Sequence, residues 1–354
     1  MNKTCLVTGG AGFIGSNFII YMLTKYKALN IINLDSLTYA GNLENLKSVE
    51  KNRNYKFIKA DICSREEVEK VFKENKIDYV VNFAAQSHVD RSIKNPGIFV
   101  KTNVEGTLNL LEASKKAWEK ADGVYKEGVK FLQVSTDEVY GSLTEKGYFF
   151  ETTPLDPHSP YSASKAAADL LVKSYYDTFK FPINITRCSN NYGPFQFPEK
   201  LIPLIILNAM SLKKLPIYGD GKQIRDWLYV EDHCCAIDLV LTKAEAGQIY
   251  NIGGHNEKEN IEIVKIIISE LQKNYDEKID ENLIKHVEDR KGHDRRYAIS
   301  PEKIKKDLGW EPKTMFEDGI KRTIMWYLNN KTWIQNIISN GYREYYNSMY
   351  KNLV

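Results

Sequence analysis

The sequence predicts an α/β protein: a doubly wound parallel sheet with helices on both faces, followed by a smaller mixed α/β lobe. Three observations carry this. Short apolar runs alternate with longer helical patterns through the first half of the 354 residues, a glycine-rich turn follows the first run, and an aspartate closes the second. Alternation of this kind implies parallel strands joined by crossover helices. Residues 4–8 are the first buried strand, and a helix over 14–26 follows the glycine turn. Strands are expected over 30–34 and 56–58, closed by Asp35 and Asp61. A helix over 66–75 leads to a strand over 79–83, and a long helix over 103–116 to a strand over 130–135. A helix over 162–179 precedes the strand 183–187. After Arg187 the rhythm breaks, and Pro and Gly become frequent between residues 194 and 221. The apolar, β-prone run 248–252 is expected to return to the sheet. The expected division is therefore 1–188 for the first, sheet-forming domain, completed by about 226–253, with 189–225 and 254–330 forming the second lobe and 331–354 a C-terminal tail.

Composition bounds the function without naming it. The chain is 43% hydrophobic and 27% charged, as ordinary globular proteins are. A net charge of +3 gives no bulk argument for nucleic-acid binding. The longest apolar stretches, such as 201–209, contain Pro or Asn and are too short to span a bilayer. Residues 1–8 lack the layout of a signal peptide. The five cysteines show no C-x-x-C spacing, and Cys234 and Cys235 are adjacent. These features lead to the expectation of a cytoplasmic protein with reduced cysteines and no metal, membrane or nucleic-acid partner.

The glycine turn is the first functional signal. Gly9-Gly10-Ala11-Gly12-Phe13-Ile14-Gly15 follows a strand and opens a helix. Glycines there let the backbone turn tightly and approach a pyrophosphate, while the helix N-terminus presents free N–H groups. This is the nucleotide-binding signature of a Rossmann-type sheet. Asp35, twenty residues after Gly15, is placed to accept hydrogen bonds from ribose hydroxyls and to repel an extra phosphate, which favours NAD over NADP. Gly9, Gly12, Phe13, Ile14, Gly15 and Asp35 are the expected cofactor contacts. Asp61 and Ile62, after the third strand, are expected near the adenine, with a helix-capping role for Asp61 as the alternative.

A second set of residues carries chemistry. Tyr161 and Lys165 are four apart in a helical pattern and share a face. A phenol titrates near ~10. A neighbouring ammonium and the positive nicotinamide favour phenolate, so Tyr161 is expected to act as a base, with Lys165 also holding the nicotinamide ribose. Thr136, at the end of a strand, offers a hydroxyl to the same sugar oxygen. Asp137 and Glu138 follow it directly. A paired acid and base beside a redox centre suit water elimination, one carboxyl neutral and the other ionised. Successive strand residues point to opposite faces, so both acids serve one site only if the chain turns after Thr136.

These residues also carry a resemblance. Thr8 to Gly15 with Tyr161 and Lys165 resembles the extended short-chain dehydrogenase/reductase superfamily. Within it, Ser135-Thr136-Asp137-Glu138-Val139-Tyr140-Gly141, His88-Val89-Asp90-Arg91-Ser92 and Ser189-Asn190-Asn191-Tyr192-Gly193-Pro194 resemble the dTDP-glucose 4,6-dehydratases. So do Pro198-Glu199-Lys200-Leu201-Ile202-Pro203, the run from Tyr218 to Trp227, and Gly292-His293-Asp294-Arg295-Arg296-Tyr297. Lys291 stands where this family is expected to have proline, which bears on the stiffness of that loop. The resemblance implies C4 oxidation by NAD with Tyr161 as base, removal of the C5 proton by Glu138, protonation of the C6 hydroxyl by Asp137, and hydride return to C6. It further implies a nucleotide-diphosphate sugar, dTDP-glucose, held by Arg225 and Arg290 on the phosphates and by Asn190, Lys200 and Asn260. Tyr297 would pack near the ligand, and His88 near the cofactor or sugar. Arg295, Arg296 and His293 would support the loop. A homodimer is implied, pairing through helices near 103–116 and 162–179.

Two alternatives share part of these signals. A UDP-glucose 4,6-dehydratase, or a nucleotide-sugar 4-epimerase or decarboxylase, would keep the glycine motif, Tyr161 and Lys165; an epimerase or decarboxylase does not need Asp137 and Glu138 for water elimination. A non-catalytic nucleotide-sensing protein would need none of the four.

Overall fold

The computed structural model describes residues 3–121, 123–290 and 292–338. The strands, in chain order, are β1 (Lys3–Thr8), β2 (Leu29–Asp35), β3 (Tyr55–Lys59), β4 (Tyr79–Asn82), β5 (Glu119–Ala121), β6 (Val124–Tyr125), β7 (Lys130–Thr136), β8 (Ile183–Cys188), β9 (Asn190–Tyr192), β10 (Leu215–Tyr218), β11 (Ile224–Tyr229), β12 (Ile249–Ile252), β13 (Glu257–Glu259) and β14 (Ile284–Val287). The helices are α1 (Phe13–Lys25), α2 (Arg65–Glu74), α3 (Val89–Lys94), α4 (Pro96–Phe99), α5 (Gly106–Trp118), α6 (Pro160–Phe179), α7 (Leu201–Met210), α8 (Val230–Lys243), α9 (Asn260–Asn274), α10 (Glu302–Leu308), α11 (Phe316–Asn329) and α12 (Lys331–Ile337).

Seven strands form one parallel sheet in the order β12-β8-β7-β4-β1-β2-β3. Its central strands are buried along their whole length, as in β4 and β7, because both faces are covered. On one face Phe18 and Met22 of α1 pack with Ile237 and Leu241 of α8. On the other, Val68 of α2, Leu110 of α5 and Val172 of α6 share a core. Local sequence sets the helix starts. Ser64 caps α2 by accepting from the Glu67 N–H at 3.3 Å. Ser159 and Ser162 form a reciprocal capping box at the start of α6, with Pro160 in its first turn. The order of strands reverses between β1 and β4, and this switch point is where such sheets bind ligands.

The helix expected over 103–116 differs at its start. Residues Val100–Glu105 form a π-helical turn before α5. The cause is tertiary: Asn103 is buried, donates to Gln86 O (3.1 Å) and Ser164 Oγ (2.8 Å), and accepts from the Gln86 N–H (2.8 Å). A widened turn lets that amide point inward beside the cleft.

Outside the seven-stranded sheet, a second group of elements holds β10 paired with β14, and β11 between β9 and β13. Its core joins Ile205, Ile267, Ile320 and Tyr327 to Trp333 of α12. Residue 252 ends β12, which pairs with β8 at the sheet edge. Of the expected tail, residues 331–337 form α12, whereas Tyr342, Tyr345 and Tyr346 lie outside the described residues, as does Lys291. Among the described residues no helix is long and apolar enough to cross a membrane.

Candidate active site

A cleft opens at the C-terminal ends of β1, β2, β4 and β7. It is lined by Gly9, Gly12, Phe13, Ile14, Gly15, Asp35, Asp61, Ile62, Thr136, Asp137, Glu138, Tyr161 and Lys165. A second cleft, sharing Glu138, Asn190 and Lys200 with the first, is lined by His88, Arg225, Asn260, Arg290 and Tyr297. Every expected site residue therefore lies on one of two adjoining walls.

The first cleft carries the close-packed glycine loop and the acceptor carboxylate that a dinucleotide site needs. Gly9 has φ +67°, and a Cβ there would lie 2.7 Å from the Ala84 backbone nitrogen. A Cβ on Gly15 would lie 2.5 Å from Gly9 O. Both positions thus require glycine for the loop to pack against β4 and α1. The Asp35 carboxylate accepts from the Ala11 N–H (2.9 Å) and the Leu37 N–H (2.8 Å). Two engaged lone pairs leave others for ribose hydroxyls. Burial raises its pKa, and those two N–H groups oppose the rise. Asp61 accepts from the Cys63 N–H at 2.9 Å, and Ser64 takes the capping position, so the capping alternative for Asp61 is corrected to an Asx turn. Ile62 is buried against Gly106.

The chain turns after Thr136, as two working acids require. Thr136 caps a 3₁₀ turn over Asp137–Tyr140, accepting from the Glu138 N–H at 3.3 Å and donating to Asp137 Oδ1 at 3.2 Å. Asp137 is 1% exposed, and its Oδ2 has no hydrogen-bond partner. Burial first, then the charges of Glu138 and Asp226, push its pKa well above the usual carboxylate range. Glu138 keeps surface open to both clefts. Burial also raises its pKa, but Lys200, Arg225 and Arg290 pull against it. The two acids thus sit in different surroundings: like charges add to the burial of Asp137, while three cations oppose that of Glu138.

The sign of the Asp137 shift makes a prediction. Its folded pKa is raised, so its contribution to stability is complete below the unfolded value, about 3.9, and is lost as pH rises through the folded value. Asp137→Asn removes that loss. Melting temperatures measured across pH should show the variant equal to or above the parent near neutrality, with the gap widening as pH rises. A variant that melts lower at every pH contradicts this.

Tyr161 corrects one expectation. The protein's own groups do not favour its phenolate: burial, then Glu138, Cys188 and Asp137, raise its pKa well above that of a free phenol. Lys165 shares the helix face, yet its ammonium donates to Val134 O at 2.8 Å and is itself lowered by burial. A hydrogen bond involving the Thr136 hydroxyl works in the opposite, favourable direction.

The second cleft gathers cations. Arg225 donates to Asp294 O (3.0 Å) and lies 4.1 Å over the Tyr297 ring. Tyr297 donates to Asp294 Oδ2 at 2.5 Å. Arg290 donates to Asp90 Oδ2 at 3.0 Å and lies 5.0 Å over Tyr218. Lys200 donates to Ser87 O at 2.9 Å. His88 is buried with Nδ1 3.8 Å from Asp90 Oδ2, and burial with Lys200, Arg290 and Arg91 holds its pKa well below the usual histidine range. It is therefore a neutral ring. Arg295 pairs with Asp220, Arg296 with Glu257, and His293 with Asp289.

Sequence reasoning missed Asp90 and Asp294 as the residues that aim Arg290 and Tyr297. Both sit inside the quoted motifs, but Asp90 lies 200 residues from the arginine it bonds, so its spacing carries no signal. Cys188, also missed, lines the cleft with its thiol 3.4 Å from Ser135 O.

Comparison with known proteins places these features in context. The profile of the family described as GDP-mannose 4,6 dehydratase matches residues 6–323. A dTDP-glucose 4,6-dehydratase of Xanthomonas campestris pv. campestris is 52% identical over 343 residues, covering 96% of this chain and 97% of that protein. The crystal structure of dTDP-glucose 4,6-dehydratase from Bacillus anthracis str. Ames, in complex with NAD, is 51% identical with a TM-score of 0.85, covering 95% of this chain and 99% of that one. DesIV, a dTDP-glucose 4,6-dehydratase from Streptomyces venezuelae solved with NAD and TYD bound, is 44% identical with a TM-score of 0.87, covering 94% and 99%.

Proposed function

This chain belongs to the dTDP-glucose 4,6-dehydratase family, and on that premise we propose how its residues divide the chemistry. The protein converts dTDP-glucose to dTDP-4-keto-6-deoxyglucose with NAD as cofactor. Bound NAD supplies the hydride chemistry, out of C4 and back to C6, so the reaction is redox-neutral. Tyr161 takes the C4 hydroxyl proton, with the Thr136 hydroxyl hydrogen-bonded to it and Lys165 held on the same helix face by Val134 O, placed for the nicotinamide ribose. The C4 ketone acidifies the C5 proton, which Glu138 removes, and a proton returns to C5 as hydride returns to C6. Asp137, kept neutral by its surroundings, protonates the C6 hydroxyl as it leaves as water. Arg225 and Arg290 neutralise the diphosphate, and guanidinium forks suit phosphate oxygens. Asn190, Lys200 and Asn260 hold the nucleotide sugar between them, with Tyr297 and neutral His88 closing the walls.

The observation that carries this division is the paired environment of Asp137 and Glu138: one acid nearly buried at the wall of the first cleft with its pKa well up, its neighbour open to two clefts and facing three cations. A 4-epimerase has no task for that pair. The test uses deuterium. dTDP-glucose labelled at C4 should give product labelled at C6, and unlabelled substrate in heavy water should gain one deuterium at C5. Label retained at C4 would indicate epimerisation or no reaction.

We further propose a second copy of this chain as partner and a cytoplasmic compartment, supported by surface and cysteine chemistry. Val100 (57% exposed) and Leu170 (58%), with Ile98 and Leu108, put apolar side chains on the outside of the π turn, α4, α5 and α6. Such a face suits a second copy of this chain. Leu108→Glu with Leu170→Glu should halve the mass measured by light scattering; a parent that already runs as a monomer contradicts the dimer. All five cysteines are free thiols, which supports a reducing cytoplasmic compartment.

A further inference from the structure

We propose that α12 is a strap that holds the glycine-rich cofactor loop in its binding shape, with Trp333 as a positioning residue acting through Asn45 on Ala11. The Trp333 indole N–H donates to Asn45 Oδ1 at 2.7 Å, and Asn45 Nδ2 donates to Ala11 O at 2.9 Å. Asn45 is 2% exposed and Trp333 6%, so water does not substitute for either partner. Ala11 sits in the middle of the loop. Its carbonyl also accepts from the Asn42 N–H (2.9 Å), and its own N–H donates to Asp35 Oδ2 (2.9 Å). Fixing this peptide fixes the Gly12 N–H, which donates to Gly9 O at 3.1 Å within the loop, and so sets where α1 begins at Phe13 on the wall of the cleft.

The other end of the strap is anchored in the substrate lobe. The Trp333 ring packs on Trp326 (4.8 Å between centroids), Tyr327 (6.1 Å) and Phe195 (6.1 Å). Tyr327 donates to Gln196 O at 2.6 Å, and Gln196 lines both clefts. One helix thus ties the cofactor loop to the wall that faces the sugar. The consequence is retention: a redox-neutral enzyme must keep the same NAD between two hydride transfers, and a loop held from both lobes releases it slowly.

The proposal rests on the NAD site above, and its test reads NAD rather than turnover. Trp333→Phe keeps the ring and removes only the N–H. A buried acceptor left without its donor loses a hydrogen bond, so bound NAD should leave about 3- to 10-fold faster, measured by trapping released NAD with a scavenging dehydrogenase. Asn45→Ala breaks the same chain independently and should match it, and the double variant should add nothing further. Trp326→Phe, in the same aromatic cluster but outside the hydrogen-bond chain, should release NAD at the parent rate whatever its melting temperature. Parent-like release in both Trp333→Phe and Asn45→Ala would overturn the proposal. So would equal acceleration in Trp326→Phe, which would make the effect one of stability. With saturating NAD, the KM for dTDP-glucose in Trp333→Phe should stay within about twofold of the parent. A parent that binds NAD but does not dehydrate dTDP-glucose would instead defeat the functional reading and leave the release measurement intact.

Discussion

Glu138→Gln should reduce its bound cofactor and then stall. The substitution keeps the side-chain volume and removes the carboxylate that takes the C5 proton. A positioned base contributes about 10²–10⁴-fold, so the rate of water loss should fall by that factor. The first oxidation does not use Glu138, and reduced nicotinamide should build up towards one equivalent per site, read by its absorbance. A second effect follows from charge. Glu138 is the largest electrostatic cause of the raised Tyr161 pKa after burial. Removing it lowers that pKa, so the pH dependence of the oxidation should shift towards lower pH. A variant that dehydrates at the parent rate, or that never reduces its cofactor, contradicts the assigned role.

Tyr161→Phe should fail one step earlier. Without the phenol no group takes the C4 hydroxyl proton, and single-turnover reduction of the bound cofactor should slow by about 10²–10⁴-fold. No reduced nicotinamide should accumulate, which separates this variant from Glu138→Gln. Lys165 is bonded to the Val134 carbonyl, and two carboxyl groups raise the phenol's pKa. Tyr161 therefore depends on positive charge brought by the bound cofactor to act as a base. Reduction in Tyr161→Phe as fast as in the parent would remove Tyr161 from the mechanism.

How much of this was legible in the sequence depended on the range of the interaction. The glycine loop and Asp35 were readable because a strand, a tight turn and a helix start constrain consecutive residues. Asp137 and Glu138 were readable as a pair, and the turn their shared task requires is made locally by the Thr136 cap. The helix face shared by Tyr161 and Lys165 was equally local. What Lys165 bonds to was not, since Val134 lies 31 residues away across the α6–β7 packing. The π turn over Val100–Glu105 escaped because Asn103 is drawn inward by Gln86 and Ser164. Asp90 with Arg290 spans 200 residues and Trp333 with Asn45 spans 288. Neither contact leaves a periodic trace in the chain.

The most direct test of the central claim is the mass of the product formed when purified protein meets dTDP-glucose without added NAD. The expected result is loss of one water per sugar, with no net reduced nicotinamide, sustained over many turnovers by cofactor carried on the protein. Unchanged mass from protein shown to hold its full complement of NAD would contradict it.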